Sequence, residues 1–162
     1  MKMKLIYLLL SVIFLSACND QKIEDVIIGD WTIDTIYYKN VDIRLCINLN
    51  VINFSKEGGD LPITENDCGV LPTFDRGTFW KIIKNKKGEI KINFDTQNEM
   101  FNGEHHLTFK KDEVNKLLKM EISSDSLFII CRKALFNFDG NIATIDNLVK
   151  ITHPAGTQDS KR

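Results

Sequence analysis

Apolar and polar residues along this chain follow two different rhythms, and the change between them marks the first boundary. Leu5 to Leu15 is an almost unbroken apolar run preceded by Lys2 and Lys4 and followed by the small residues Ser16 and Ala17. Beyond it the pattern becomes short and alternating. Ile90, Ile92 and Phe94 alternate with polar neighbours in "EIKINFD", as do Leu107 and Phe109 in "HLTFK" and Leu118, Met120 and Ile122 in "LLKMEI". Period-two alternation of this kind predicts strands with one buried face.

The longest such run, "DIRLCINLNVINF", places Ile43, Leu45, Ile47, Leu49 and Val51 on one parity and Arg44, Cys46, Asn48 and Asn50 on the other. It predicts a single strand whose buried face carries the first set. "DWTIDTIYY", "TFWKIIK", "SLFIICRK" and "IDNLVKIT" bring the count to about eight strands. The polar stretches "KNKKGE", "FNGE", "KKDEVN" and "SSDS" are short enough to be hairpin connections. "KKDEVNKLLKM" has some helical spacing through Val114, Leu117 and Leu118, but the alternation continuing to Ile122 favours a turn and then a strand. A meander of that many strands removes its open edges most simply by closing on itself. The expected fold is all-β, an antiparallel up-and-down barrel of about eight strands, with a two-sheet sandwich as the alternative.

One segment has no rhythm. Asp60 to Arg76, "DLPITENDCGVLPTFDR", holds two of the three prolines. Irregular loops of that length are usually functional or pinned by a crosslink. Asp60, Leu61, Glu65, Asp67 and Phe74 are its candidate contact residues.

The N-terminal run has the basic, apolar and small-residue parts of a secretory signal and is shorter than the roughly 20 residues that span a bilayer. "LSAC", Leu15 to Cys18, resembles the lipobox of bacterial lipoproteins. That resemblance implies cleavage before Cys18, acylation of its sulfur and amino group, and stable anchoring by two or more chains, such as palmitate. It divides the chain into a signal peptide at 1–17, a lipidated cysteine and flexible tether at 18–27, a β domain at 28–152 and a tail at 153–162. The acid-containing "NDQKIED" is also similar to tracts that direct some Bacteroidota lipoproteins to the cell surface. The expected location is the cell envelope, on the periplasmic face of the outer membrane or on the cell surface.

"IIGDWTIDTIYY", with Gly29 and Trp31 as G-x-W on the first strand, is similar to lipocalin-like barrels, including domains carried by small Bacteroidota lipoproteins. The resemblance implies that Trp31 plugs the closed end of the barrel. It also implies a late arginine packed on that tryptophan, for which Arg132 is the candidate.

Charge and chemistry narrow the function by exclusion. The whole chain carries 21 basic and 22 acidic residues. Removing residues 1–17 takes away two lysines and no acid, leaving 19 against 22 and a mature net charge of about −3. That is not the basic footprint of a nucleic-acid binder. With Cys18 acylated, Cys46, Cys68 and Cys131 remain in an oxidising compartment. Cys46 with Cys68 is the favoured disulfide, contributing about 3 kcal/mol by chain entropy. Cys46 with Cys131 is the alternative, and the leftover Cys131 otherwise reads as a buried thiol. His105 and His106 are adjacent, so on a strand they face opposite ways and are expected at the surface. Asp60, Glu65 and Asp67 lack the ordered spacing of a calcium loop. No nucleophile-elbow, zinc-helix, phosphate-loop or dinucleotide motif occurs.

No catalytic residue, metal or cofactor is therefore expected. The expected function is a membrane-anchored, non-catalytic binding lipoprotein with a protein partner. The alternatives are an immunity or inhibitor lipoprotein that blocks a toxin or enzyme, and a carrier of a small hydrophobic ligand.

Overall fold

A computed structural model describes residues 23–64, 77–85 and 88–135. The signal segment, Cys18, Cys68, the run at 145–152 and the tail at 153–162 lie outside the described residues. So do Glu65, Asp67 and Phe74.

The chain is all-β, a nearly closed antiparallel barrel of eight strands in up-and-down order. The strands are β1 (Gly29–Tyr38), β2 (Val41–Asp42), β3 (Val51–Ser55), β4 (Gly58–Asp60), β5 (Phe79–Lys84), β6 (Ile90–Asp95), β7 (Gly103–Asp112), β8 (Leu117–Ser123) and β9 (Leu127–Ala134). The spatial order is β4-β3-β1-β9-β8-β7-β6-β5, with the two-residue β2 pairing on β1 outside that ring. The ring is completed by one bridge, Gly59 to Thr78, between β4 and the residue preceding β5.

Alternation builds the wall where the sequence showed it. Ile90, Ile92 and Phe94, Leu107 and Phe109, and Leu118, Met120 and Ile122 are all buried. The expected turn before β8 spans residues 113–116, with Lys116 at positive φ. Asp112 caps this turn: its carboxylate accepts from the Asn115 backbone N–H and side-chain amide, each at 3.0 Å.

The strand expected over residues 43–51 is the main correction. Asp42 accepts from the Arg44 backbone N–H at 3.0 Å and from its guanidinium at 2.7 Å. Local bonds of this kind compete with a ladder, and the chain makes a 3-10 turn at Arg44–Cys46 instead. Ile43 and Ile47, four apart, are buried across that turn, while Leu45 is 98% exposed and Leu49 63%. Pairing resumes at Val51 on the opposite parity, so Ile52 and Phe54 fill the core and Val51 faces out. β1 contains a smaller irregularity of the same sort. Its register to β9 shifts between Ile33 and Thr35, so Ile33 and Ile36, three apart, are both buried.

The expected tether at 18–27 also changes. Residues 23–27 form a helical turn, closed by the Ile28 N–H donating to the Glu24 carbonyl at 3.0 Å. Ile23, Val26 and Ile27 are buried in the core. Three apolar residues within five gain too much from burial to stay in a solvated linker, so residues from Ile23 onward belong to the folded domain.

Candidate functional site

Strand directions divide the barrel into two ends. One collects the helical turn, the β3–β4 hairpin and the turns after β5 and β7. The other collects the connections after β1, β4, β6 and β8.

The first end is sealed by Trp31, fully buried, whose indole N–H donates to the Ile27 carbonyl at 2.6 Å. The Lys133 ammonium lies 5.7 Å from the Trp31 ring centroid and donates to the Ile28 carbonyl. These two carbonyls sit at the end of a helical turn, where backbone acceptors lack intrahelical partners and a cation is favoured. Burial pushes the Lys133 pKa down, partly opposed by Asp30. Gly29 has φ +111°, and a Cβ there would come within 2.9 Å of the Lys133 ammonium nitrogen. The G-x-W spacing thus has a local cause: a residue without Cβ, then an indole reaching back to the turn. The expected arginine over Trp31 is replaced by a lysine. Arg132 has the outward parity of β9 and pairs with Asp34 at 3.2 Å, while its neighbour Lys133 points in.

Between the ends, aromatic rings occupy the interior. Phe109 lies 6.4 Å from Trp31, Phe54 lies 6.2 Å from Phe94 and 5.3 Å from Trp80, and Phe94 lies 6.1 Å from Phe101. With Ile, Leu and Met between them they form one buried cluster. An eight-stranded barrel has just enough interior for such side chains.

His105 belongs to this interior and not to the expected surface, while its neighbour His106, on the opposite face, is exposed. The His105 Nε2 lies 2.6 Å from the Phe101 carbonyl, which fixes that nitrogen as the donor. Its Nδ1 is buried without a hydrogen-bond partner. Burial pushes the His105 pKa down, with the Phe101 carbonyl acting in the opposite direction. No group of three or more His, Cys, Asp or Glu side chains among the described residues is arranged to hold a metal ion.

The second end is where chain is exposed without being loose. The strap from Val41 to Asn50 is tied at several points. The Ile43 N–H donates to Ile36, the Asn48 N–H to Ile63, and the Ile33 N–H to Asn50, at 2.8 to 3.1 Å. Ile47 bridges Thr64, and the Asn48 side chain accepts from the Ile63 N–H at 3.1 Å.

Cys46 is disulfide-bonded, whereas Cys131 is a free, fully buried thiol whose pKa burial raises. The alternative pairing of Cys46 with Cys131 is therefore excluded, because Cys131 faces the core from β9. The expected partner Cys68 lies outside the described residues. On this tied strap Val41 (59%), Leu45 (98%) and Leu49 (63%) are exposed.

Of the expected contact residues, Asp60 is exposed at the end of β4, paired with Asn53. Leu61 is not a surface contact: it is only 7% exposed and belongs to the core. The strap leucines were missed because strict alternation placed them inside. The Asp42-x-Arg44 pair is the signal that marks the turn.

In comparisons with known proteins, no family model, no curated protein and no solved structure matches the chain.

Proposed function

We propose that the chain is a lipoprotein of the bacterial cell envelope, anchored through Cys18, whose lipocalin-like barrel is a rigid, non-catalytic support for a protein-contact surface at the loop end. The observation that carries this reading is Leu45, 98% exposed on a strap held by a disulfide at Cys46 and by backbone bonds on both sides. A large apolar side chain in water gains nothing for the fold, and its immobilisation lowers the entropy cost of docking.

The geometry of the ends supports the orientation. Ile23, five residues after Cys18, is packed at the sealed end, so a lipid at Cys18 faces that end toward the bilayer and presents the strap away from it. A carrier of a hydrophobic ligand needs an apolar void, and the described interior is occupied by its own side chains. A partner that is a toxin or enzyme makes the protein an immunity or inhibitor lipoprotein. The strap serves that role equally well.

Two measurements test the reading. Mass spectrometry of the mature N-terminus is expected to show cleavage before Cys18 and acyl chains on it, and an unmodified Cys18 removes the anchor. A photo-crosslinking residue at position 49 is expected to give one adduct of defined mass in the native envelope, lost in Leu45→Asp. An adduct that survives Leu45→Asp, or none at all, removes the docking surface.

A further inference from the structure

At the seam between β4 and β5, part of one strand has no neighbour among the described strands. β5 pairs with β6 along its length, from Phe79 with Asp95 to Lys84 with Ile90. Toward β4 the pairing is the single bridge of Gly59 with Thr78. The hairpin turns back at Lys56 and Glu57, so its tip stops short of the second half of β5.

Two bonds fix which way the β5 backbone groups point. The Asn85 N–H donates to Glu89 at 3.1 Å on the β6 side, and the Gly59 N–H donates to Thr78 at 2.9 Å on the β4 side. Backbone groups alternate along an antiparallel strand. Ile82 and Lys84 therefore turn their N–H and C=O toward the seam, where no described strand pairs with them.

Beside this edge lies a groove of 270 Å³ lined by Ile28, Lys56, Glu57, Phe79 and Trp80 among others. Phe79 is 63% exposed. Trp80 and Ile82 are only partly buried, unlike the inward residues of the neighbouring strands.

We propose that β5 accepts an extended, acidic segment of a partner protein as an added strand. The seam-facing donors and acceptors of Ile82 and Lys84, unpaired by any described strand, demand an extended chain, since alternate backbone groups are what such an edge can pair. The groove takes one apolar side chain of that segment against Phe79 and Trp80. Charge chooses the partner: β5 contains Lys81 and Lys84, both exposed, and no acid. A second copy of β5 laid antiparallel brings lysines against lysines, which is destabilising. An acidic strand meets opposite charges at Lys81 and Lys84 instead, while the groove itself carries Lys56 against Glu24 and Glu57. This surface is distinct from the strap, and its success or failure leaves the strap reading as it was.

Hydrogen exchange read by mass spectrometry on the full mature protein tests the proposal. The probe is a capped synthetic peptide of alternating Val and Glu. Exchange in the fragment covering Phe79 to Lys84 is expected to slow by about tenfold or more, as new backbone hydrogen bonds form. The same peptide with Lys for Glu, or with alternate amides N-methylated, is expected to give no protection. Lys84→Pro removes a seam-facing N–H and no bond to β6, and is expected to abolish binding. Should that variant fail to fold, the double change Lys81→Glu with Lys84→Glu, at two exposed positions, is expected to switch the preference to the lysine peptide. Equal binding of the N-methylated peptide, protection away from β5, or no protection at millimolar peptide overturns the proposal.

Discussion

The two tryptophans of the barrel sit in opposite kinds of wall. Trp31 stands on β1, flanked by β9 with six register pairs and β3 with four, and is wholly buried. Trp80 stands on β5, flanked by β6 on one side and a single bridge on the other, and is half-buried. Each indole N–H donates to the backbone, but to different ends. Trp31 ties the entry turn to the wall at the Ile27 carbonyl, while Trp80 spans the gap to Ser55 and Gly58, both at 3.0 Å. At the first site the ladder closes the barrel and the side chain completes the seal. At the second the side chain supplies much of the closure that the ladder does not.

The contrast is breakable by mutation. Trp31→Ala is expected to cost the most, about 3–5 kcal/mol, as for other large core truncations. Trp80→Ala, less completely buried, is expected to cost less, about 1–2 kcal/mol, and to speed hydrogen exchange in β4 and β5 more than in β8. Urea denaturation of the two variants decides it: equal losses would show that the seam is as tightly built as the rest.

Gly29→Ala comes next, at about 1 kcal/mol for a strained positive φ, and loss of the Lys133 contact sharpens the role of the sealed end. Thermal melts beside Gly77→Ala, at a glycine with no atom of the described residues within 4 Å of its Cβ position, separate crowding from backbone strain.

His105 gives a pH signature to the tight wall near the loop end. Its folded pKa lies below the ordinary 6.5 because burial disfavours the charged form. Above pH 6.5 both folded and unfolded histidine are neutral. Below it the unfolded chain takes up a proton that the folded protein resists, so stability falls as pH drops from 6.5 toward the folded value. His105→Phe is expected to flatten that window while costing about 1 kcal/mol at pH 8, where the Phe101 carbonyl loses its donor. Denaturation midpoints at pH 8 and 5.5 measure both.

The smallest effect lies at the β7–β8 turn. Asn115 holds the Asp112 pKa down to about 2, with its side-chain bond first among the causes and Lys119 contributing. A lowered carboxylate stabilises above its unfolded value, and that contribution is lost as pH falls from 3.8 toward 2. Asn115→Ala is expected to remove part of this acid sensitivity, seen as closer melting temperatures at pH 5 and pH 3.

The same contrast explains what the sequence disclosed. β6, β7 and β8 were legible because each is flanked on both sides by long neighbours, so period two survives from end to end. Ile90, Leu107 and Met120 could be placed by counting alone. Alternation failed where pairing is interrupted. The strap across from β1 broke at the Asp42–Arg44 bonds, which reversed the parity of Val51 and Ile52. The irregularity at Asp34 shifted Ile36 within β1. Leu61, beside Pro62 in a stretch without period-two alternation, reads as a loop residue, yet its side chain is buried in the core. Gly29 and Trp31 were visible as a motif, but the cation beside them was assigned one residue too early. Parity along β9, with Cys131 buried, already points Lys133 inward and Arg132 outward.

The pairing of β1 with β9 also sets an order of events. The first wall strand lies between β3 and the last described strand, about a hundred residues later, so among the described strands this pairing joins the parts of the chain farthest apart in sequence. Hairpins from β5 to β9 can form as they emerge, while β1 keeps an unpaired side until Leu127–Ala134 arrives. Such a non-local final step is slow compared with hairpin formation. A chain ending before β9 has no means of covering that edge, and aggregation, not partial function, is the expected fate of such fragments.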